Sequence, residues 1–260
     1  QLGYLIVLIL AAAVQGEYTA YGAAFILFQL PHSIFAVSIF TALLPAMASR
    51  WTDGDQEGFG RFLSQGIRAT AAVLSPAALG YIVLARPIVR LLLEHGVTTA
   101  ASGDLVAQVL VLFALGLFPF SAFQLLLRAS YAMQDTRTPA LVNIAATALN
   151  IGANLVFVLA LDLGVRGLAL GHAASYVFAS IVLFVRVRAR VGTLQGRAIA
   201  ASVGRAVVAG AATAASAWIV AAALGRWLGT ATIGSQAVQV LTAVAVGLLV
   251  FLASAAALHI

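Results

Sequence analysis

Asn143, Thr147, Asn150 and Asn154 recur at intervals of four, three and four, which places them on one face of a helix. A second polar group, Gln29, His32 and Ser33, surrounds Pro31 inside another apolar run. The chemistry these side chains offer is hydrogen bonding: they can solvate a polar group inside apolar surroundings or join one helix to another. Proline removes a helical N–H and crowds the preceding turn, so Pro31 frees the carbonyl of Leu27 and kinks its helix. In a membrane such a break survives only where neighbours or a cavity satisfy the backbone. Each group therefore reads either as the polar wall of a substrate cavity or as hydrogen-bonded packing between helices, and one stripe is compatible with both. Asn150 and Asn154 fall nearest mid-membrane. With Gln29 and His32 they are expected to face a shared hydrated cavity.

The acidic side chains sit elsewhere. Glu17, Asp53, Asp55, Glu57, Glu94, Asp104, Asp135 and Asp162 all fall in or beside predicted loops. Paired catalytic carboxylates, a metal-binding helix and a phosphate loop are absent from the sequence, and it contains no Cys. No enzyme activity, cofactor or metal is expected. An exporter of cationic drugs coupled to protons or sodium would place a carboxylate within the membrane, and no predicted span carries one.

The elements that position these residues are set by composition. The chain of 260 residues is 63% hydrophobic and 8% charged, with mean hydropathy +1.06. A bilayer span needs about 20 mostly apolar residues. About eight such runs can be read, near 1–15, 19–48, 62–84, 102–131, 138–160, 165–186, 199–224 and 236–258. This predicts an all-α integral membrane protein. A membrane barrel would alternate apolar and polar residues, and Ala206–Ala215 does not. The sequence opens at Gln1, inside an apolar run and without a signal-peptide pattern, and is expected to be the C-terminal part of a longer chain.

All 14 basic residues are Arg. With loops assigned alternately to the two sides, Arg50, Arg61, Arg68, Arg128, Arg137, Arg186, Arg188, Arg190, Arg197 and Arg205 share one side. Arg86, Arg90, Arg166 and Arg226 share the other. The positive-inside rule makes the first side cytoplasmic, together with the C-terminus. This bias accounts for the pI of about 10.5. The sequence holds no nucleic-acid-binding motif.

Several local patterns add detail. After the hydrophilic turn at 51–58, Phe59, Phe62, Leu63 and Ile67 recur at helical spacing opposite Arg61, Gln65 and Arg68. They read either as an amphipathic helix at the membrane surface or as an extension of the next span. Pro87–Glu94 reads as a short separate helix, with Pro in its first turn and Gly96 as its cap. Gly167, Gly171 and Ser175 form a small-residue face for close helix packing, beside which His172 reads as a packed, hydrogen-bonded histidine. The arginines from Arg186 to Arg205 fix topology and attract anionic headgroups.

The link Arg128-Ala-Ser-Tyr-Ala-Met-Gln-Asp-Thr-Arg-Thr-Pro139 resembles the connection between two helices of the C-terminal lobe in MurJ/MviN-type lipid II flippases of the MOP exporter superfamily. Ser130 stands where that family usually has Phe. Leu43-Leu-Pro45, Leu92-Leu-Glu-His-Gly96 and Phe113-Ala-Leu-Gly116, in this order and spacing, extend the resemblance over about residues 19–190. It implies a MOP-type C-lobe over 1–190, followed by two extra transmembrane helices over 191–260. It also implies a flippase that carries lipid-linked peptidoglycan precursor across the bacterial cytoplasmic membrane by alternating access. Membrane lipids and an N-terminal lobe would be its partners. Gln29, His32, Ser33, Asn150 and Asn154 would be cavity candidates, and Pro31, Asp135, Arg137 and Pro139 structural or gating candidates. A related exporter of another lipid-linked oligosaccharide, or a membrane scaffold for cell-wall enzymes, are the alternatives. Aligned on Pro31, a cavity arginine of the family falls at Ile26 and an acidic position at Gln29, so both charges are missing here.

Overall fold

The computed structural model describes residues 17–94, 100–192 and 194–258. Among them the structure is helical throughout, without strands. Helix α1 (Tyr18–Pro31) continues through a π-helical turn, His32–Ala36, into α2 (Val37–Thr52). Then come α3 (Gln56–Leu93), α4 (Ala100–Ala114), α5 (Leu117–Ala132) and α6 (Arg137–Leu155), which ends in a second π-helical turn at Val156–Ala160. The chain closes with α7 (Gly164–Val191), α8 (Gly196–Leu228) and α9 (Ile233–Ala257). By length and apolar composition six helices can cross a membrane, or seven if α4 and α5, bent by 49°, form one span. These correspond to seven of the eight predicted runs; the run at 1–15 lies outside the described residues.

Helix α3 organises the bundle. It packs against α8 on one side and α2, α4 and α5 on others, while α7 lies against α5 and α6, and α9 covers α8. At about 57 Å, its 38 residues exceed the ~30 Å hydrocarbon layer, so its ends project. It also corrects one expectation and decides between two readings of another segment. Pro87 does not start a separate helix: α3 runs through both Pro76 and Pro87. Proline costs the helix one hydrogen bond, and burial of Leu84, Ala85 and Val89 on the same segment holds the turn in place. The expected cap, Gly96, lies outside the described residues. Of the two readings of 59–68, the structure shows the extension of the span. Phe59, Leu63 and Ile67 belong to α3 and face the protein core, because α2 and α5 cover that side.

The two turns 50–58 and 130–138 are built alike. In the first, Gly54 N–H donates to Trp51 and Asp55 N–H to Arg50; in the second, Gln134 donates to Tyr131 and Asp135 to Ser130. Both close a helix with a left-handed residue, Gly54 at φ 75 and Gln134 at φ 57, the paired bonding that satisfies the last carbonyls of a helix. Both then use an Asp to start the next one. Asp55 accepts from Gly58 N–H at 2.7 Å and Asp135 from Thr138 N–H at 3.0 Å.

Candidate functional site

Pro31 leaves the Leu27 carbonyl without its helical amide, and the hydroxyl of Tyr81 on α3 donates to it at 2.6 Å. The π-helical turn that follows presents His32 to α5. Its Nδ1 lies 2.8 Å from Ser121 Oγ, and its ring sits 4.6 Å from that of Phe120. His32 is buried, Gln29 and Pro31 are half-buried, and Ser33 is exposed. Neighbouring helical residues point about 100° apart, so turning His32 inward turns Ser33 outward.

On α6 burial increases toward the C-terminal end. Asn143 is exposed, Thr147 and Asn150 are half-buried, and Asn154 is 0% exposed. Asn154 Nδ2 donates to Asn150 Oδ1 at 3.1 Å. Its own Oδ1 lies against Gly171 of α7, where a Cβ would overlap it, and has no hydrogen-bond partner among the described residues. Gly167 meets Phe157 in the same way, so the small-residue face of α7 is a packing face. The structure thus joins His32 to Ser121 and Asn154 to Asn150, and no hydrogen bond links the two pairs among the described residues.

His172 sits among the rings of Phe25, Phe28, Phe113, Phe120 and Tyr176, at centroid distances between 4.8 and 6.0 Å. Its Nε2 is buried without a hydrogen-bond partner among the described residues. The histidine is packed, as expected, and its surroundings are aromatic rings.

Of the structural or gating candidates, Asp135, Arg137 and Pro139 lie together at one end of the bundle, whereas Pro31 sits at the break within the first span. Asp135 pairs with Arg190 of α7 at 2.6 Å, and that guanidinium lies 5.8 Å from the ring of Trp51. Arg190 is therefore the ionic partner of Asp135. The Thr138 amide and hydroxyl, with Arg190, hold the Asp135 carboxyl below the usual carboxylate range; Arg50 and the Gly58 amide do the same for Asp55. Pro139 is buried in the first turn of α6. At the opposite end Arg86 pairs with Glu94 and Asp104, and Val165 N–H donates to Glu17. Sequence reading missed Tyr81, Ser121, Arg190 and Trp51 as partners, because none lies near its contact in the chain. The described residues hold no cluster of His, Cys, Asp and Glu suited to a metal ion.

A family model described as lipid II flippase MurJ matches residues 1–252. The chain belongs to the MurJ lipid II flippase family. Similar relatives include the probable lipid II flippase MurJ of Vibrio cholerae, 32% identical over 160 residues, covering 62% of this chain and 30% of that protein. The lipid II flippase MurJ of Burkholderia cenocepacia is 29% identical over 164 residues, 63% of this chain and 31% of that protein. A solved structure of lipid II flippase MurJ in an inward closed conformation superposes with a TM-score of 0.76 at 20% identity. It covers 99% of this chain and 50% of that one. The matched stretch thus spans about a third of these MurJ relatives, and the chain half of the MurJ structure, whose likeness shows the fold.

Proposed function

We propose that this chain forms the C-terminal lobe of a lipid II flippase in the bacterial cytoplasmic membrane, one wall of a path that shelters a polar headgroup while its lipid tail stays in the bilayer. The match of the family model to residues 1–252 carries this reading. On this reading residues 1–190 contribute to the transporter core and 191–260 are two additional helices. The lobe works against an N-terminal lobe by rocking about a midplane site. Gln29, Ser33 and Asn150 supply hydrogen bonds along the open face of α1 and α6. At the position of the family's cavity arginine, Ile26 is 65% exposed, so this lobe offers the pyrophosphate no charge there and the positive charge comes from the partner lobe. The arginine-rich end carrying the 50–58 and 130–138 turns faces the cytoplasm, as does the C-terminus.

Cells depleted of their own lipid II flippase and supplied with the full-length gene test the activity. Growth should resume, and lipid II should become cleavable by an externally added lipid II-degrading enzyme. Protein that reaches the membrane while lipid II stays protected and cells lyse sinks the proposal. For orientation, single cysteines at positions 53 and 134 should resist an impermeant maleimide in intact cells, while one at 229 reacts.

A further inference from the structure

Arg188 and Arg197 both border the junction of α7 and α8. Helix α7 ends at Gly192, with φ 80, and α8 begins at Gly196. With Gln195, Gly196, Ala198 and Ala200, the two arginines line a shallow, open depression of about 610 Å³. A Cβ added at Gly196 would lie 3.7 Å from Arg188 Nη1, so one guanidinium sits over the first residue of α8. Gln195, at the cap position, makes no side-chain hydrogen bond to that helix, and a helix start carries partial positive charge. Three other arginines at this end are neutralised, Arg50 by Asp55, Arg61 by Glu57 and Arg190 by Asp135. All eight acidic side chains of the chain lie among the described residues, and none pairs with Arg188 or Arg197. Two cations are thus held around one concave surface with no anion from the protein.

The neighbouring surface indicates which anion. Ile181 and Val185, 58% and 57% exposed, lie seven and three residues before Arg188 on the same face of α7. On α8 the exposed residues Ala201, Gly204 and Val208 continue the face of Arg197 by helical steps of four, three and four. Apolar tracks leading away from the guanidiniums suit a lipid rather than a free ion. We infer that the α7–α8 junction binds the phosphate of an anionic phospholipid between Arg188 and Arg197, with its acyl chains along these two tracks. The inference does not depend on the flippase reading.

Full-length protein in dodecyl maltoside, titrated with dioleoyl phosphatidylglycerol and followed by native mass spectrometry, tests it. Phosphatidylglycerol should bind saturably, and phosphatidylcholine at least tenfold more weakly. R188Q/R197Q should weaken phosphatidylglycerol binding roughly tenfold or more, since each interfacial arginine contributes appreciably to such binding. R186Q/R226Q, which removes the same charge elsewhere, should leave it unchanged. Both arginines of the site are exposed, and R188Q and R197Q made singly give the same readout should the double variant fail to fold. Equal binding of phosphatidylcholine, an unaffected R188Q/R197Q protein, or an equal loss in R186Q/R226Q would overturn the site. Displacement of the lipid by inorganic phosphate at equal concentration would overturn the lipid assignment.

Discussion

The hydroxyl of Tyr81 donates to the carbonyl of Leu27 at 2.6 Å, replacing the amide that Pro31 withholds. A side chain 54 residues away thus completes the backbone at the break.

Tyr81→Phe should destabilise the full-length protein by about 1–2 kcal/mol, since it leaves a buried carbonyl unpaired. Pro31→Ala restores the amide and should remove most of that penalty. Unfolding of the two single variants and the double variant in detergent measures the coupling. Strict additivity would show that the bond contributes nothing at the kink.

Asp135→Ala removes both the cap of α6 and the pair with Arg190, and about 1 kcal/mol of stability should go with the cap. Exposed ion pairs add little to this, so Asp135→Asn should be milder. The folded-state pKa of Asp135 is depressed. Its contribution is therefore present above the unfolded carboxylate pKa of about 3.9 and lost as pH falls below it. Stability measured from pH 6 down to pH 3 should fall less steeply in the Ala variant than in the parent.

Gln134 holds φ 57 where the matching turn has Gly54, and a side chain there is strained. Gln134→Gly should stabilise the protein by up to about 1 kcal/mol, while Gly54→Ala destabilises it by a comparable amount. A loss of stability in Gln134→Gly would mean that unfolded-chain entropy outweighs relief at the turn.

Gly171→Ala pushes a methyl into Asn154 Oδ1. Overpacking at such a contact costs about 1–3 kcal/mol, and Asn154→Ala in the same protein should recover part of it. Melting curves of the double variant no better than those of Gly171→Ala would place the strain elsewhere.

Hydropathy made the helical class and seven described spans readable, because a bilayer imposes a length on apolar runs. The extent of α3 was not readable: Pro87 is a local stop signal, and only packing against neighbouring helices overrides it. A cap at Thr136 or Asp135 could be read from their place before Arg137-Thr-Pro139, since caps are local, and Asp135 is the one that accepts from the helix. Its pairing with Arg190, 55 residues on, is tertiary and leaves no trace in spacing. Gly54 announced its turn; Gln134, in the same role, did not. The π-helical turn at His32–Ala36 is a hydrogen-bonding pattern with no residue signature beyond the adjacent proline, and it decides which way His32 and Ser33 point.

That turn behaves like a dislocation in a crystal. It holds one residue more than the α-helical lattice around it, and a π bulge that hops along its helix rotates each residue it passes by about 100°. The segment Val37–Thr52 is anchored at its far end where Arg50 meets Asp55 and Arg190 lies over Trp51. Migration of the defect would therefore exchange buried for exposed side chains one at a time, with both ends of the span staying where they are.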